Sequence, residues 1–363
     1  MTAAGAAGRR AGFTLLELVV ASTVMLAVLG GLVMLTASIP KQAHTLAIRV
    51  DTQNRLRIAR HMLTQELQNA GFGWRREGYS SVDTGTFGSA GYTVTGWPTR
   101  PVLTNFSTTG MDTGTDTLTV VLPVDYNALA GVDTTATAVS CPGTTGSAVF
   151  PTTTNASNAA GWGGVALLFD ANVAHLAPIA AAASSSLTLT IGDCGTAAGG
   201  GGVAAGANFP RTMSVTRVKY VTYRVAAGRL QRAEVTTSGG TASFVDVVDG
   251  IEDLQVRFVV TVIPLSGAAS TGEVLCEGNT GATFPSADNS TCGSLALRKT
   301  AISGNDAVRL TAVEVGLGAR SLPATNDIVT ARPALFDHAA GSSDKYVHRQ
   351  EVWRVALPNA YAF

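Results

Sequence analysis

Hydrophobic positions near the start of the chain form one long uninterrupted run. Arg9 and Arg10 precede it, and Glu17 is the last charged residue before it. The 23 residues from Leu18 to Pro40 carry no charge. As a helix they would be about 35 Å long at roughly 1.5 Å per residue, enough to cross a bilayer. The two arginines favour a cytoplasmic start, which places the chain after residue 40 outside the inner membrane.

Glu17 separates three interpretations of this run. A secretory signal has an apolar core of roughly 7 to 15 residues, which is shorter. A plain anchor gives no role to a carboxylate at the hydrocarbon edge, where an unpaired acid costs up to about 3 kcal/mol. A helix that is stored in the membrane before it enters a polymer does give this carboxylate a role. Cleavage between Gly12 and Phe13 would create an amine four residues from Glu17, on this chain or on a neighbour.

Beyond Pro40 the chain becomes polar, but one apolar stripe continues at spacings of three and four, the pattern of an amphipathic helix. Its members are Leu56, Ala59, Leu63, Leu67 and Ala70. Gly71 is a plausible C-terminal stop. Pro40 removes a backbone donor, so we expect the helix to bend or restart there, with Ser38 as the cap of a second segment.

After Gly73 the helical period gives way to short runs of branched residues between turn clusters, a pattern typical of strands. The predicted strands are Thr117–Leu122, Val165–Phe169, Leu187–Ile191, Val215–Val225, Asp253–Ile263, Val308–Leu317 and Val347–Leu357. The expected fold class is α+β: a long N-terminal helix, half transmembrane and half amphipathic, packed on a mainly antiparallel β-sheet domain.

Charge adds little to this picture. The chain has 25 basic and 25 acidic residues, so it lacks the basic excess that nucleic acid binding requires. One local cluster lies on the amphipathic helix, where four arginines accompany Asp51: Arg49, Arg55, Arg57 and Arg60. We interpret it as a solvated face, with contact to acidic neighbours as the alternative.

The four cysteines predict disulfides and not a metal site. Cys141, Cys194, Cys276 and Cys292 form no C-x-x-C pair and lie away from every histidine, so zinc spacing is missing. Three connectivities exist, and proximity favours Cys141 with Cys194 and Cys276 with Cys292. Free buried thiols are the alternative. No metal or cofactor site is expected.

Two D-T-G copies, at Asp83 and Asp112, repeat the signature of aspartic proteases, which need two carboxylates that share a proton. They are only 29 positions apart and follow no apolar strand, so we attribute them to biased composition. A calcium site at Asp112 and Asp116 lacks the twelve-residue loop and its terminal Glu. The sequence therefore predicts a protein that is not an enzyme.

The N-terminal residues R-R-A-G-F-T-L-L-E-L resemble the class III leader of type IV pilins and pseudopilins. The resemblance implies cleavage after Gly12 by a prepilin peptidase and N-methylation of Phe13. It also implies that Glu17 is the assembly carboxylate, which neutralises the terminus of an adjacent subunit. Pilins commonly carry a disulfide near the carboxyl end, which agrees with a Cys276–Cys292 pair.

Two further segments narrow the resemblance to PilW-type minor pilins. They are R-I-A-R-H-M-L-T-Q-E-L-Q-N-A-G-F-G at 57–73 and D-G-I-E-D-L-Q-V-R-F at 249–258. The implied organisation is a leader (1–12), a transmembrane and assembly helix (13–40), an amphipathic periplasmic helix (41–71) and a β-rich, pilin-like globular domain (72–363). Residues 130–210, which are rich in Thr, Gly and Ala, resemble the family least, and we interpret them as partly mobile insertions.

The resemblance implies a role in assembly. Such minor pilins prime type IV pilus formation together with other minor pilins, the major pilin and an inner-membrane assembly platform, and they stay at the tip, often beneath an adhesin. We expect a single-pass inner-membrane protein with a periplasmic domain before assembly and a cell-surface pilus subunit afterwards. The alternatives are a minor pseudopilin of a type II secretion system and a membrane-anchored periplasmic hydrolase that uses the D-T-G copies.

Overall fold

The structure of the chain is a computed structural model. The described residues are 14–70, 86–89, 92–95, 102–104, 112–124, 130–133, 146–154, 164–169, 174–183, 186–191, 212–235, 243–264, 271–277, 306–322, 330–336 and 338–357. The chain divides into two compact units, Met1–Asp51 and Thr52–Phe363.

One helix, α1 (Leu15–Asn69), contains both predicted helical segments. Its stretch Leu15–Thr36 has a mean hydropathy of 2.5 and is not buried by the rest of the chain, so it is long and apolar enough to span a membrane. Pro40 lies inside the helix. The alternative of a restart, with Ser38 as a cap, is therefore wrong, and the alternative of a bend at Pro40 stays a prediction.

Every strand pairing found in the described residues is antiparallel. The strands are β1 (Thr86–Ser89), β2 (Tyr92–Thr95), β3 (Val102–Thr104), β4 (Leu118–Pro123), β5 (Ala130–Asp133), β6 (Gly146–Thr154), β7 (Gly164–Phe169), β8 (Ala174–Ala182), β9 (Ser186–Ile191), β10 (Thr212–Ala226), β11 (Arg229–Val235), β12 (Val245–Asp249), β13 (Ile251–Pro264), β14 (Thr271–Glu277), β15 (Asp306–Arg320), β16 (Thr330–Ala331), β17 (Ser343–Asp344) and β18 (His348–Ala356). All seven predicted strands are present among them.

The larger sheet has the order β12-β11-β10-β5-β6-β9-β8-β7, and β4 pairs with β10 and β3. Strand β10 is its centre, because β4, β5, β7 and β11 all pair with it. Strands β5 to β9 come from residues 130–210, so the described part of that region is regular sheet. The expectation that parts of this region are mobile stays a prediction.

The smaller sheet has the order β14-β13-β15-β18. Its two long central strands pair from Ile251 opposite Ala319 to Pro264 opposite Asp306. Apolar residues alternate on the side of β13 that faces the core, where Leu254, Val256 and Phe258 are at most 1% exposed. Residues two positions apart in a strand lie on the same face, so these three side chains enter the core together.

The second part of α1 supplies the core shared by both sheets. The five residues of the predicted apolar stripe, Leu56, Ala59, Leu63, Leu67 and Ala70, are at most 3% exposed. They belong to one cluster with Val221 and Tyr223 of the larger sheet and with Val315 and Trp353 of the smaller sheet. The prediction that this stripe packs against a β-rich partner is confirmed.

Candidate functional site

The helix begins at a reciprocal cap between Thr14 and Glu17. The backbone N–H of Glu17 donates to Thr14 Oγ1 (3.3 Å), while Glu17 Oε2 accepts hydrogen bonds from the N–H (3.0 Å) and the hydroxyl (3.1 Å) of Thr14. This is a capping box, in which a Thr and a Glu three residues later satisfy each other's backbone donors. The carboxylate that we expected to need a partner therefore has a local one. The T-x-x-E spacing in the sequence is the signature of this capping box.

The surroundings of Glu17 are apolar and open. Leu15, Leu16 and Leu18 are 82%, 73% and 66% exposed. Exposing a contiguous apolar surface of this kind to water is unfavourable. A bilayer or a neighbouring apolar helix would cover it. Glu17 would then be the one acid of this first turn in a medium of low polarity, open to an approaching cation.

The predicted processing residues Gly12 and Phe13 lie outside the described residues, as does the rest of the leader. Cys141, Cys194 and Cys292 also lie outside them. Cys276 is placed on β14, in register with Phe258. Cleavage, methylation and disulfide pairing therefore stay predictions.

The amphipathic part of α1 is joined to β18 by polar contacts. Arg60 forms an ion pair with Glu351, and its guanidinium lies 5.7 Å from the centre of the Trp353 ring. The indole N–H of Trp353 donates to Thr64 Oγ1 (3.0 Å). Arg55 donates to a backbone carbonyl at the end of β12 (3.3 Å). Two of the four arginines of the expected solvated face therefore contact the sheets.

The second D-T-G copy supports a hairpin. Asp112 Oδ1 accepts the N–H of Ala227 (3.0 Å), and Oδ2 accepts that of Gly228 (3.0 Å). These two residues form the turn between β10 and β11 with φ of 52° and 69°, a left-handed conformation that favours glycine. Both carboxylate oxygens of Asp112 thus accept hydrogen bonds from backbone donors. Asp83, of the first copy, lies outside the described residues.

Asp116 has a similar role deeper in the domain. Its carboxylate accepts the N–H of Val256 (2.8 Å), and its own N–H donates to the carbonyl of Leu254 (2.7 Å). The segment between Asp112 and β4 is thereby fixed to β13. Within the part of the chain that the structure describes, no group of three His, Cys, Asp or Glu side chains is arranged to hold a metal ion.

A buried polar cluster on β13 was missed by the sequence analysis. The side chain of Asp253 is 1% exposed, and its Oδ2 lies 2.6 Å from Arg332 Nη1 and 2.8 Å from His338 Nδ1. Gln255 donates to Asp253 Oδ1 (2.9 Å) and to the carbonyl of Gly114 (2.7 Å). The cluster fixes Arg332 and His338 to the sheet. Its sequence signal was the alternation of the polar residues Asp253 and Gln255 with the apolar residues Leu254 and Val256.

A second histidine, His348, is held between two acids. Its Nδ1 lies 2.6 Å from Glu252 and its Nε2 lies 2.8 Å from Asp344, with the imidazole side chain only 2% exposed. Burial opposes the charge of Asp344, but the N–H of Tyr346 and then His348 outweigh it and lower the pKa of that carboxyl. His348 of β18 therefore joins this strand to β13 and β17, because each of its two ring nitrogens contacts an acid on one of those strands.

Comparisons with protein-family models, with curated protein sequences and with solved structures gave no match to this chain.

Proposed function

We propose that this chain is a minor pilin of the PilW type. Its leader is removed after Gly12, and its helix then packs beside those of other minor pilins to start a type IV pilus. The support is the leader motif R-R-A-G-F-T-L-L-E-L together with the unbroken helix that follows it. The T-L-L-E residues of the motif coincide with the capped first turn of α1.

One observation carries the proposal: a single helix has an apolar, uncovered stretch at Leu15–Thr36 and a stretch from Thr52 that is built into the core. A secretory signal would be removed with its apolar run, so it would not need to be continuous with a core helix. A subunit that moves from bilayer to fibre needs this continuity, because its helix must carry the domain along.

In this role the chain is held in the inner membrane with its domain in the periplasm until a prepilin peptidase and the assembly platform act on it. It then joins the other minor pilins at the tip, above the major pilin and beneath an adhesin when one is present. Glu17 meets the amine of a neighbouring subunit there, and an attraction between opposite charges is strongest where water is excluded.

The test is Glu17→Ala in the full-length protein, with Asp51→Ala as a control that removes one acid from the same helix outside the apolar stretch. Glu17→Ala should be processed and stay in the membrane but should lose co-purification with other minor pilins. Asp51→Ala should co-purify as the unmodified protein does. Undiminished co-purification of the Glu17 variant would contradict the assembly role.

The proteins that co-purify also separate the proposal from its nearest alternative. Pilus components and a retraction ATPase are expected for a minor pilin. Secretion-channel components would instead identify a pseudopilin of a type II secretion system.

A further inference from the structure

Strand β18 is the last strand of the smaller sheet, and β15 is its only partner among the described strands. Its nine residues pair with β15 in unbroken register, without a bulge or a proline. An edge of this length and regularity is a template for a further strand, and proteins commonly protect such edges with prolines, bulges or lysines. The described part of the chain therefore leaves a long, regular sheet edge for pairing.

The hydrogen bonds at the two ends of β18 show which backbone groups lie on this edge. The N–H of Leu357 donates to the carbonyl of Thr311 (3.1 Å), and the N–H of Ser321 donates to that of Val347 (2.9 Å). In an antiparallel pair, hydrogen-bonded residues alternate with residues whose N–H and C=O point away. The odd-numbered residues of β18 therefore bond to β15, and the even-numbered ones point outward. Val352, at the centre of the outward set, is 48% exposed.

One flank of α1 lies beside this edge. Trp353 donates its indole N–H to Thr64, and Glu351 forms an ion pair with Arg60, so the odd-numbered side chains of β18 face the helix. Arg57 lies one turn before Arg60 on the same flank and is exposed. A strand added to β18 would therefore run beside this flank of α1.

The flank has an excess of positive charge. Arg349 lies two residues before Glu351 and therefore on the same face of β18. Neither Arg349 nor Arg57 forms an ion pair with a residue that the structure describes. Three arginines thus surround a single acid, Glu351, which already pairs with Arg60. Acidic side chains on an added strand would complement this charge.

We propose that the edge of β18 binds an extended acidic segment of a partner protein as an additional strand. The backbone of the segment bonds to the outward groups of Gln350 and Val352, and every second side chain faces α1, near Arg57 and Arg349. A second copy of the chain does not complement the site, because pairing two β18 edges would bring two positively charged flanks together. The site lies in the domain and goes beyond the pilus role.

The direct test measures the fluorescence anisotropy of a labelled peptide, T-E-V-E-V-E-T, during titration with the full chain in micelles of a non-ionic detergent. We expect saturable binding with a Kd on the order of 100 μM at low salt. Added salt should weaken binding, because the charge contacts are partly exposed. The matched peptide T-K-V-K-V-K-T should bind at least about tenfold more weakly. If the acidic peptide does not bind, or if both peptides bind equally well, the proposal is overturned.

Two N-methylated isomers of the acidic peptide test strand addition itself. One isomer carries its methyl groups on the two valine nitrogens, and the other carries them on two glutamate nitrogens. Successive N–H groups of an extended chain point to opposite sides, so only one isomer can still bond to the edge. With the glutamates facing α1, antiparallel addition excludes the valine-methylated isomer and parallel addition excludes the other. Equal binding of the two isomers would show that the peptide does not add as a strand.

Two variants locate the binding at this edge. Val352→Pro removes an outward N–H and none that bonds to β15, so it should weaken binding of the acidic peptide about fivefold. Arg57→Gln should weaken binding about two- to fivefold. Gln65→Glu is the matched control, since it changes the net charge equally but lies on the side of α1 next to the larger sheet.

Urea unfolding checks that Val352→Pro is folded, and Arg57→Gln decides alone if it is not. The proposal is overturned if a folded Val352→Pro or Arg57→Gln binds the peptide as the unmodified chain does. It is also overturned if sedimentation shows a dimer that Val352→Pro dissociates, because a second copy would then occupy the edge.

Discussion

The two ends of α1 are one continuous helix in opposite surroundings. In Leu15–Thr36, Leu26 is 68% exposed and Met34 is 79% exposed. In Thr52–Asn69, Leu63 and Leu67 are fully buried. The same residue type therefore serves as a core residue at one end and as an uncovered surface residue at the other. The difference shows that helix formation and helix burial are separate properties of this chain.

The contrast has a physical reason in the sequence pattern. A helix that is apolar on all sides needs an apolar medium on all sides, whereas an apolar stripe needs only one covering surface. After Glu17 the first stretch carries no charge, whereas the second places its buried apolar residues on one face. The domain therefore covers the second stretch, whereas the first is uncovered and is long and apolar enough to span a bilayer.

The largest expected difference between the two stretches comes from truncating one leucine in each of them. Leu63→Ala should lower the free energy of unfolding of the domain by about 2 to 5 kcal/mol, because it leaves a cavity between helix and sheets. Leu29→Ala, 46% exposed in the first stretch, should leave that free energy unchanged. Denaturant titration of the full chain in micelles measures both. Equal losses would show that the two stretches share one core.

A second prediction concerns the hairpin at the centre of the sheet that covers the helix. Asp112→Ala removes the acceptor of two backbone donors and should cost about 1.5 to 3 kcal/mol. Asp112→Asn keeps one acceptor oxygen and should cost less. Urea unfolding of both variants provides the check. A fully stable Asp112→Ala protein that had lost a hydrolytic activity would instead favour the hydrolase alternative.

A smaller effect is expected at the start of the uncovered stretch. Thr14→Val removes the N-cap hydroxyl and should destabilise the first turn by about 1 kcal/mol. Amide exchange at Glu17 and Leu18 in micelles should therefore accelerate about fivefold. Thr23→Val is the matched control, since its hydroxyl only bonds the carbonyl of Val20 within the helix (2.8 Å). Unchanged exchange in Thr14→Val would mean that the cap does not hold the first turn.

The smallest effect is a pH dependence confined to the folded domain. The pKa of Asp344 is lowered in the folded state: burial opposes its charge, but the N–H of Tyr346 and then His348 outweigh burial. Its contribution to stability is present above the unfolded pKa of about 3.9 and is lost as pH falls through the lower folded value. Asp344→Asn should flatten the decline of Tm below about pH 4. An unchanged slope would contradict this role.

Much of the fold followed from periodicity. The stripe from Leu56 to Ala70 and the seven strands were predictable because each is set by residues close in sequence. The predicted restart at Pro40 was wrong, because the rule for proline considers one residue and not the helical turns on both sides of it. Strands such as β6 and β8 were missed because Gly, Pro and Ala, which are depleted in strands, interrupt their runs of branched residues.

The candidate site was predictable only in part. Glu17 was singled out from the membrane pattern, but its cap with Thr14 was overlooked although the spacing is local. The contacts of Asp253 with Arg332 and His338 join residues about 80 positions apart, so no local pattern could reveal them.

The central claim is that the apolar stretch of α1 stays attached to the domain and begins at Phe13 in the mature protein. Intact-mass and N-terminal mass spectrometry of the native polypeptide from membranes or fibres tests it most directly. The account predicts a chain that starts with N-methylated Phe13 and retains every residue of α1. A native chain that begins at Met1, or close to Lys41, would contradict it.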